Sequence, residues 1–106
     1  MKLMHDIKEF MDMKGAAMTL EDYQDFCKTT AIYPANTKLM YPALGLAGEA
    51  GEVANKVKKL IRDGPQKRPE DWKEQIAAEL GDVLWYCSAL ATDLDISLGR
   101  VAKDNM

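Results

Sequence analysis

Thiols are scarce in this chain. Cys27 and Cys87 are its two cysteines and no CxxC pair occurs, which excludes a thiolate metal site and a disulfide framework. Each reads as a small apolar core filler in a reducing compartment. Histidine is scarcer: His5 stands alone and reads as a surface residue. A di-iron carboxylate bundle, which needs Glu-x-x-His on two helices, is excluded with it. No apolar run approaches the ~20 residues of a membrane span. The N-terminal "MKLMHDIKEFMDMKG" mixes charges and lacks the apolar core of a signal peptide. A cytoplasmic protein without a membrane partner is therefore expected. Positive charge is not in excess, since 14 Lys and Arg face 17 Asp and Glu for a net charge of −3. That argues against a protein that coats a nucleic-acid polymer. Strand-like alternation of useful length, internal repeats and low-complexity segments are also missing.

What remains is helical periodicity. Leu3, Ile7 and Phe10, with Met4 and Met11, mark a short amphipathic segment within an N-terminal extension, residues 1–17. The domain proper is read as residues 18–106. Thr19 suits an N-cap, with Asp22 completing a capping box, and Leu20, Tyr23, Phe26 and Cys27 form the apolar stripe behind it. "AIYPANTKLMYP" reads as a connector. A long helix is expected from about Pro42 to Asp63, stopped by Gly64-Pro65. After the turn "DGPQKRPED", Asp71 is placed to cap a second long helix from Trp72 to about Leu94. "DLDIS" breaks the pattern, and Ser97 can cap a last helix. The expected fold is all-α: about four helices around a long antiparallel central hairpin.

The stretch "LGLAGEAGEV" sets the chemical question, because three glycines (Gly45, Gly48, Gly51) interrupt a helix beside two acids. Glu49 and Glu52 are three apart and share a helix face; Glu79 and Asp82 repeat that spacing on the second helix. At ~1.5 Å rise per residue both pairs lie roughly 15–18 Å from the turn. An antiparallel hairpin brings them level. Glu79 falls in the middle of the apolar side formed by Trp72, Ile76, Val83, Tyr86 and Leu90, where a lone carboxylate is costly. On the first helix Leu46, Val53, Val57, Leu60 and Ile61 make the apolar side. Four converging carboxylates call for a cation, and an all-oxygen set suits Mg²⁺ or Mn²⁺. The plainer alternative is a solvated face with Glu52 paired to Lys56 at i+4. By helical angle, Gly48 and Gly51 flank the glutamates, where small residues let a helix or a ligand approach the backbone.

Lys56 and Lys59 lie on the glutamate side of their helix, one and two turns beyond Glu52. Beyond the N-terminal extension the aromatic residues are Tyr23, Phe26, Tyr33, Tyr41, Trp72, Trp85 and Tyr86, and those at helical spacing read first as core. Trp85 falls off the Glu79 side and is expected to face a partner chain. A hairpin of this size with short flanking helices leaves apolar surface that self-association would bury.

"GLAGEAGEVANKVKK" followed by "AAELGDVLWY" resembles the MazG-like nucleotide pyrophosphohydrolases of the all-α NTP pyrophosphatase superfamily, over roughly Thr19 to Asn105. The shared signature is ExxE, a spacer, then ExxD. Many members carry a further glutamate where this chain has Gly48; the dCTP pyrophosphatase-like branch has glycine there. The resemblance implies that Glu49, Glu52, Glu79 and Asp82 are catalytic Mg²⁺ ligands. It also puts Lys103 and Asn105 where relatives contact phosphate or nucleotide, makes Lys56 and Lys59 candidate phosphate contacts, and, since a nucleotide needs an aromatic or apolar slot for its base, makes Phe26 and Tyr86 the candidates for that slot. The activity implied is Mg²⁺-dependent hydrolysis of (deoxy)nucleoside triphosphates to monophosphate and pyrophosphate, in nucleotide-pool sanitation, by a homodimer or homotetramer. The competing expectation is a non-catalytic helical nucleotide-binding or oligomerisation module. Within the superfamily, a phosphoribosyl-ATP or dUTP-specific hydrolase remains open.

Overall fold

A computed structural model of the chain describes residues 17–106. The expected N-terminal amphipathic segment and His5 lie outside the described residues. Among the described residues the fold is all-helical: α1 (Leu20–Lys28), α2 (Met40–Asp63), α3 (Trp72–Asp93) and α4 (Leu98–Asp104), with 3₁₀ turns at Ala35–Thr37 and Pro65–Lys67. None of these helices is long and apolar enough to cross a membrane.

Local chemistry accounts for the boundaries. Thr19 and Asp22 form a reciprocal capping box, each side chain taking the other's backbone N–H at 3.0 Å. This interaction holds the Asp22 carboxyl below its usual range. α2 begins two residues before Pro42, which sits in the first turn where its missing N–H is not needed. What starts α2 is Asp93 at the far end of α3. Its Oδ2 accepts from the Leu39 N–H at 3.0 Å and from the Tyr33 hydroxyl at 2.8 Å. Burial and that bond push the Tyr33 phenol up to about 12. Gly64, at φ 78°, ends α2 in a backbone region that side-chain-bearing residues avoid.

Asp71 precedes α3 as expected, but its side chain does not cap the helix. Its Oδ1 instead accepts from the Gln75 amide at 2.8 Å, one turn on. α3 ends in a Schellman arrangement. Asp95 takes the left-handed conformation at φ 58°, and the Ile96 N–H returns to the Ala91 carbonyl. Ser97 caps α4 through the Arg100 N–H, as expected.

α2 and α3 form the central antiparallel hairpin, and α1 and α4 pack on α3 and on each other. The buried hydrophobic residues Cys27, Ala89, Ala91 and Leu98 lie where α1, the C-terminal half of α3 and α4 meet. Gln24 ties this region together. Its amide nitrogen donates to Thr92 Oγ1 and the Ile96 carbonyl, both at 3.0 Å, and its carbonyl accepts the Leu98 N–H at 2.8 Å. A buried amide satisfied on both ends adds specificity at no desolvation penalty.

Two apolar-face expectations need correction. Ile61 is 78% exposed and Val57 is also exposed. The face of α2 turned to α3 runs through Gly45, Glu49, Val53, Lys56 and Leu60, and Ile61 sits 100° round from Leu60. Trp85 faces its own chain. Its indole N–H donates to Thr30 Oγ1 at 2.8 Å, and its ring meets Tyr86 edge-on at 5.1 Å.

Candidate metal and nucleotide site

The hairpin register places Glu49 of α2 opposite Glu79 and Asp82 of α3. One oxygen from each of the three carboxylates lies within 4.8 Å of the others. Glu49 is half-buried and close beside Glu79. Burial first, then that neighbouring carboxyl, then the negative charges of Asp82, Glu79 and Glu52, raise its pKa above the usual carboxylate range. Carboxylates held this close need a proton or a cation among them. Inside the chain the counter-charge is Lys56, whose Nζ stands 3.9 Å from Glu79 Oε1. The i+4 pair between Glu52 and Lys56 does not form; the lysine reaches across the hairpin instead.

Glu52 lies outside this triad. It is exposed on the rim of α2, one turn along from Glu49 and near enough for its charge to be felt there. Helical geometry explains the split: three residues turn the chain 300°, so Glu52 flanks the line of Glu49 by 60°. The three glycines also part company. A Cβ on Gly45 would fall within the Tyr86 ring, so this glycine is what lets Tyr86 lie on the backbone of α2. Gly48 and Gly51 have nothing within 4 Å of where a Cβ would stand, and they face outward.

Aromatic side chains border the triad on the side away from the turn. Tyr86 is held above its usual pKa by burial and by the nearby Tyr41, Glu49 and Asp82. Tyr41 stacks on Tyr33 at 4.8 Å. From α1, Tyr23 comes close enough to Asp82 for that charge, after burial and Cys27, to raise its pKa. Phe26 is half-buried on the same helix, and no hydrogen bond or ion pair links Lys103 or Asn105, at the exposed end of α4, to the triad.

The sequence of this hairpin has counterparts among known proteins. The model of the MazG nucleotide pyrophosphohydrolase domain matches residues 38–106. The chain belongs to the MazG nucleotide pyrophosphohydrolase family. It is also 42% identical over 95 residues to the Gene 37 protein of Mycobacterium phage L5, covering 84% of this chain and 83% of that one. No solved structure matches it. The MazG match spans both long helices, and therefore all four acids of the ExxE and ExxD pairs, together with Lys56, Lys59, Tyr86, Lys103 and Asn105. Phe26 and the rest of α1 precede it.

The donor set fits a hard divalent cation. All three converging ligands are carboxylates, they come from two rigid helices, and their mutual repulsion is only partly offset by one lysine. Glu52 stands outside that set, exposed at the rim one turn along α2 from Glu49.

Proposed function

We propose that this chain hydrolyses ribo- or deoxyribonucleoside triphosphates to the monophosphate and pyrophosphate, and serves nucleotide-pool sanitation in the cytoplasm. The observation that carries the reading is the convergence of Glu49, Glu79 and Asp82 within 4.8 Å in a MazG-family chain. The functional unit is residues 18–106, because α1 packs into the fold that presents the acids. In this reading Glu49, Glu52, Glu79 and Asp82 hold Mg²⁺, or Mn²⁺ in its place. The bound ion supplies charge to offset the triphosphate and acidity to activate water.

The residues do the rest. A water oxygen attacks the α-phosphorus, the bond to the bridging oxygen breaks, and pyrophosphate leaves with that electron pair. A carboxylate of the cluster takes the proton that the water gives up. Lys56 and Lys59 meet the negative charge of the leaving pyrophosphate, with Lys103 and Asn105, at the end of α4, as further contacts to the nucleotide. Tyr86 and Phe26 offer apolar surface to the base.

Self-association belongs to the same reading, as a homodimer or homotetramer. Met40, Leu44, Ala47, Gly51, Ala54 and Ile61 follow heptad-like spacing down the outer face of α2. Met40 is 59% and Leu44 74% exposed at one end, with Ile61 at the other. The small residues between them let a second helix come close. Light scattering should give a mass above one chain for the wild type and a monomer for Leu44→Glu/Ile61→Glu. A wild-type monomer at micromolar concentration removes the oligomer.

The activity is tested by pyrophosphate release from the common ribo- and deoxyribonucleoside triphosphates, with Mg²⁺ and with EDTA. Release that needs the metal supports the enzyme, and the ranking of substrates names the base. A rise in melting temperature with Mg²⁺ but no turnover of any nucleotide favours the non-catalytic binding module instead.

A further inference from the structure

Beyond Lys56, away from the aromatic rings, the hairpin opens into a cleft of about 180 Å³ between the end of α2, the turn and the start of α3. Its walls carry four cationic side chains: Lys56 and Lys59 from α2, and Lys67 and Arg68 from the turn. The Arg68 guanidinium lies 4.6 Å over the ring of Trp72, which fixes the planar fork at the mouth of the cleft. The one acid in the lining, Asp63, is already engaged by Arg62 through two bonds of 2.8 and 3.1 Å. Among the described residues no carboxylate lies within 4.0 Å of Lys59, Lys67 or Arg68. A chain with a net charge of −3 thus gathers in one concavity four cations of which, among the described residues, only Lys56 has a carboxylate partner.

The cleft shares a wall with the acidic triad, because Lys56 lines it and also approaches Glu79. From Glu79 to Trp72 is two turns of α3, about 10 Å at 1.5 Å per residue, which is the reach of a phosphate chain. Cations distributed along the end of one helix and the turn that follows it suit a linear polyanion better than a single compact one. The acidic surface elsewhere and the concave shape speak against a nucleic-acid polymer.

We propose that this cleft holds the terminal phosphates of the substrate and retains pyrophosphate after cleavage, with Lys67 and Arg68 as binding residues beside Lys56 and Lys59. The orientation that follows rests on the function proposed above: the nucleoside lies towards Tyr86, the α-phosphate at the acids, and the tail towards the turn.

The test is calorimetric titration of the metal-free protein, in EDTA, with inorganic pyrophosphate and with inorganic phosphate. The wild type should bind pyrophosphate more tightly than phosphate. Lys67→Ala/Arg68→Ala should weaken pyrophosphate binding by about tenfold or more, whereas Lys28→Ala on α1 should leave it unchanged. Both turn residues are exposed, and circular dichroism checks that the double variant is folded. In turnover the double variant should raise KM and relieve inhibition by added pyrophosphate. Equal affinity in the wild type and the double variant, or no binding to the wild type, overturns the proposal. Pyrophosphate binding that the double variant loses, in a protein that turns over no nucleotide, removes the hydrolase reading and keeps the cleft as a polyphosphate site. Mg²⁺-dependent turnover with pyrophosphate affinity indifferent to the two residues does the reverse.

Discussion

At its open end the α2–α3 hairpin is lined with tyrosines and backed by α1 and α4; at its turn end it stands without them, with lysines and an arginine around one tryptophan. The open end contains the buried hydrophobic residues and the cross-chain bonds of Gln24, Tyr33 and Trp85. The turn end has an open basic cleft and a thin apolar seam. Between them lie the three converging carboxylates. The contrast teaches that one pair of helices carries three chemistries in a row, and that their order matches the parts of a nucleotide. Packed aromatic surface suits a base, hard oxygen donors suit a cation at the reacting phosphate, and flexible cations suit a departing polyanion.

The middle is where both ends meet, and breaking it has the largest expected effect. Glu79→Gln keeps the shape of the side chain and removes its charge; pyrophosphate release should fall by about a hundredfold or more. A variant that keeps its Mg²⁺-dependent turnover would show that the acids are not the reacting centre.

The open end can be loosened separately. Gln24→Ala leaves the Leu98 N–H and its other partners without the amide that satisfied them, at a cost of about 1–3 kcal/mol in chemical denaturation. Gly45→Ala drives a methyl into the Tyr86 ring and should cost a similar ~1–3 kcal/mol, with substrate affinity falling as Tyr86 is displaced. An unchanged denaturation midpoint for Gly45→Ala would mean that the ring moves freely and builds no slot.

A third comparison uses pH. Glu49 has a folded pKa raised above its unfolded value, so its protonated form favours the fold. Its contribution to the stability of the metal-free protein is therefore fully present below the unfolded carboxylate pKa and is lost as pH rises through the higher folded value. Melting curves in EDTA should show Glu49→Gln more stable than the wild type at neutral pH and level with it in acid. Comparing the two proteins at each pH cancels Asp22 and Asp63, whose pKa values are lowered and whose contributions are lost only as pH falls. Mg²⁺ should stabilise the wild type and have less effect on the variant.

The smallest effect separates the inner glycine from the outer ones. Gly48→Ala meets nothing within 4 Å and lies mid-helix. It should gain about 0.5–1 kcal/mol of stability. A loss instead would place Gly48, with Ala47 and Gly51, inside the self-association face proposed for α2.

Much of this was legible before any coordinates. The helix-period pattern, the Thr19 and Ser97 caps and the Gly64-Pro65 stop are local rules, and the described helices obey them. The level pairing of Glu49 with Glu79 and Asp82 followed from counting residues to the turn, because rise per residue is constant in a helix. The resemblance to MazG pyrophosphohydrolases rested on the same residues, and the family match covers residues 38–106. Other features were not legible. Ile61 and Leu60 are equally apolar, and only the packing angle of α2 on α3 chose which of them faces inward. Trp85 was assigned to a partner chain, yet it binds Thr30, a contact across 55 positions that no helical wheel contains. "GPQKRPEDW" reads as a solvated turn, since loops are ordinarily polar; its Lys67 and Arg68 became a cleft only when the turn folded back over Trp72.

The sequence by itself determined the helices, their caps and the level at which the acids meet, because hydrogen bonding along a helix depends on neighbours a few residues away. Tertiary structure alone decided that Glu52 stands at the rim while Glu49 turns inward, that Gly45 yields its place to Tyr86, and that Asp93 starts a helix more than 50 positions earlier. Those outcomes depend on how two helices rotate about their own axes when they pack, and that rotation is set by every contact between them at once.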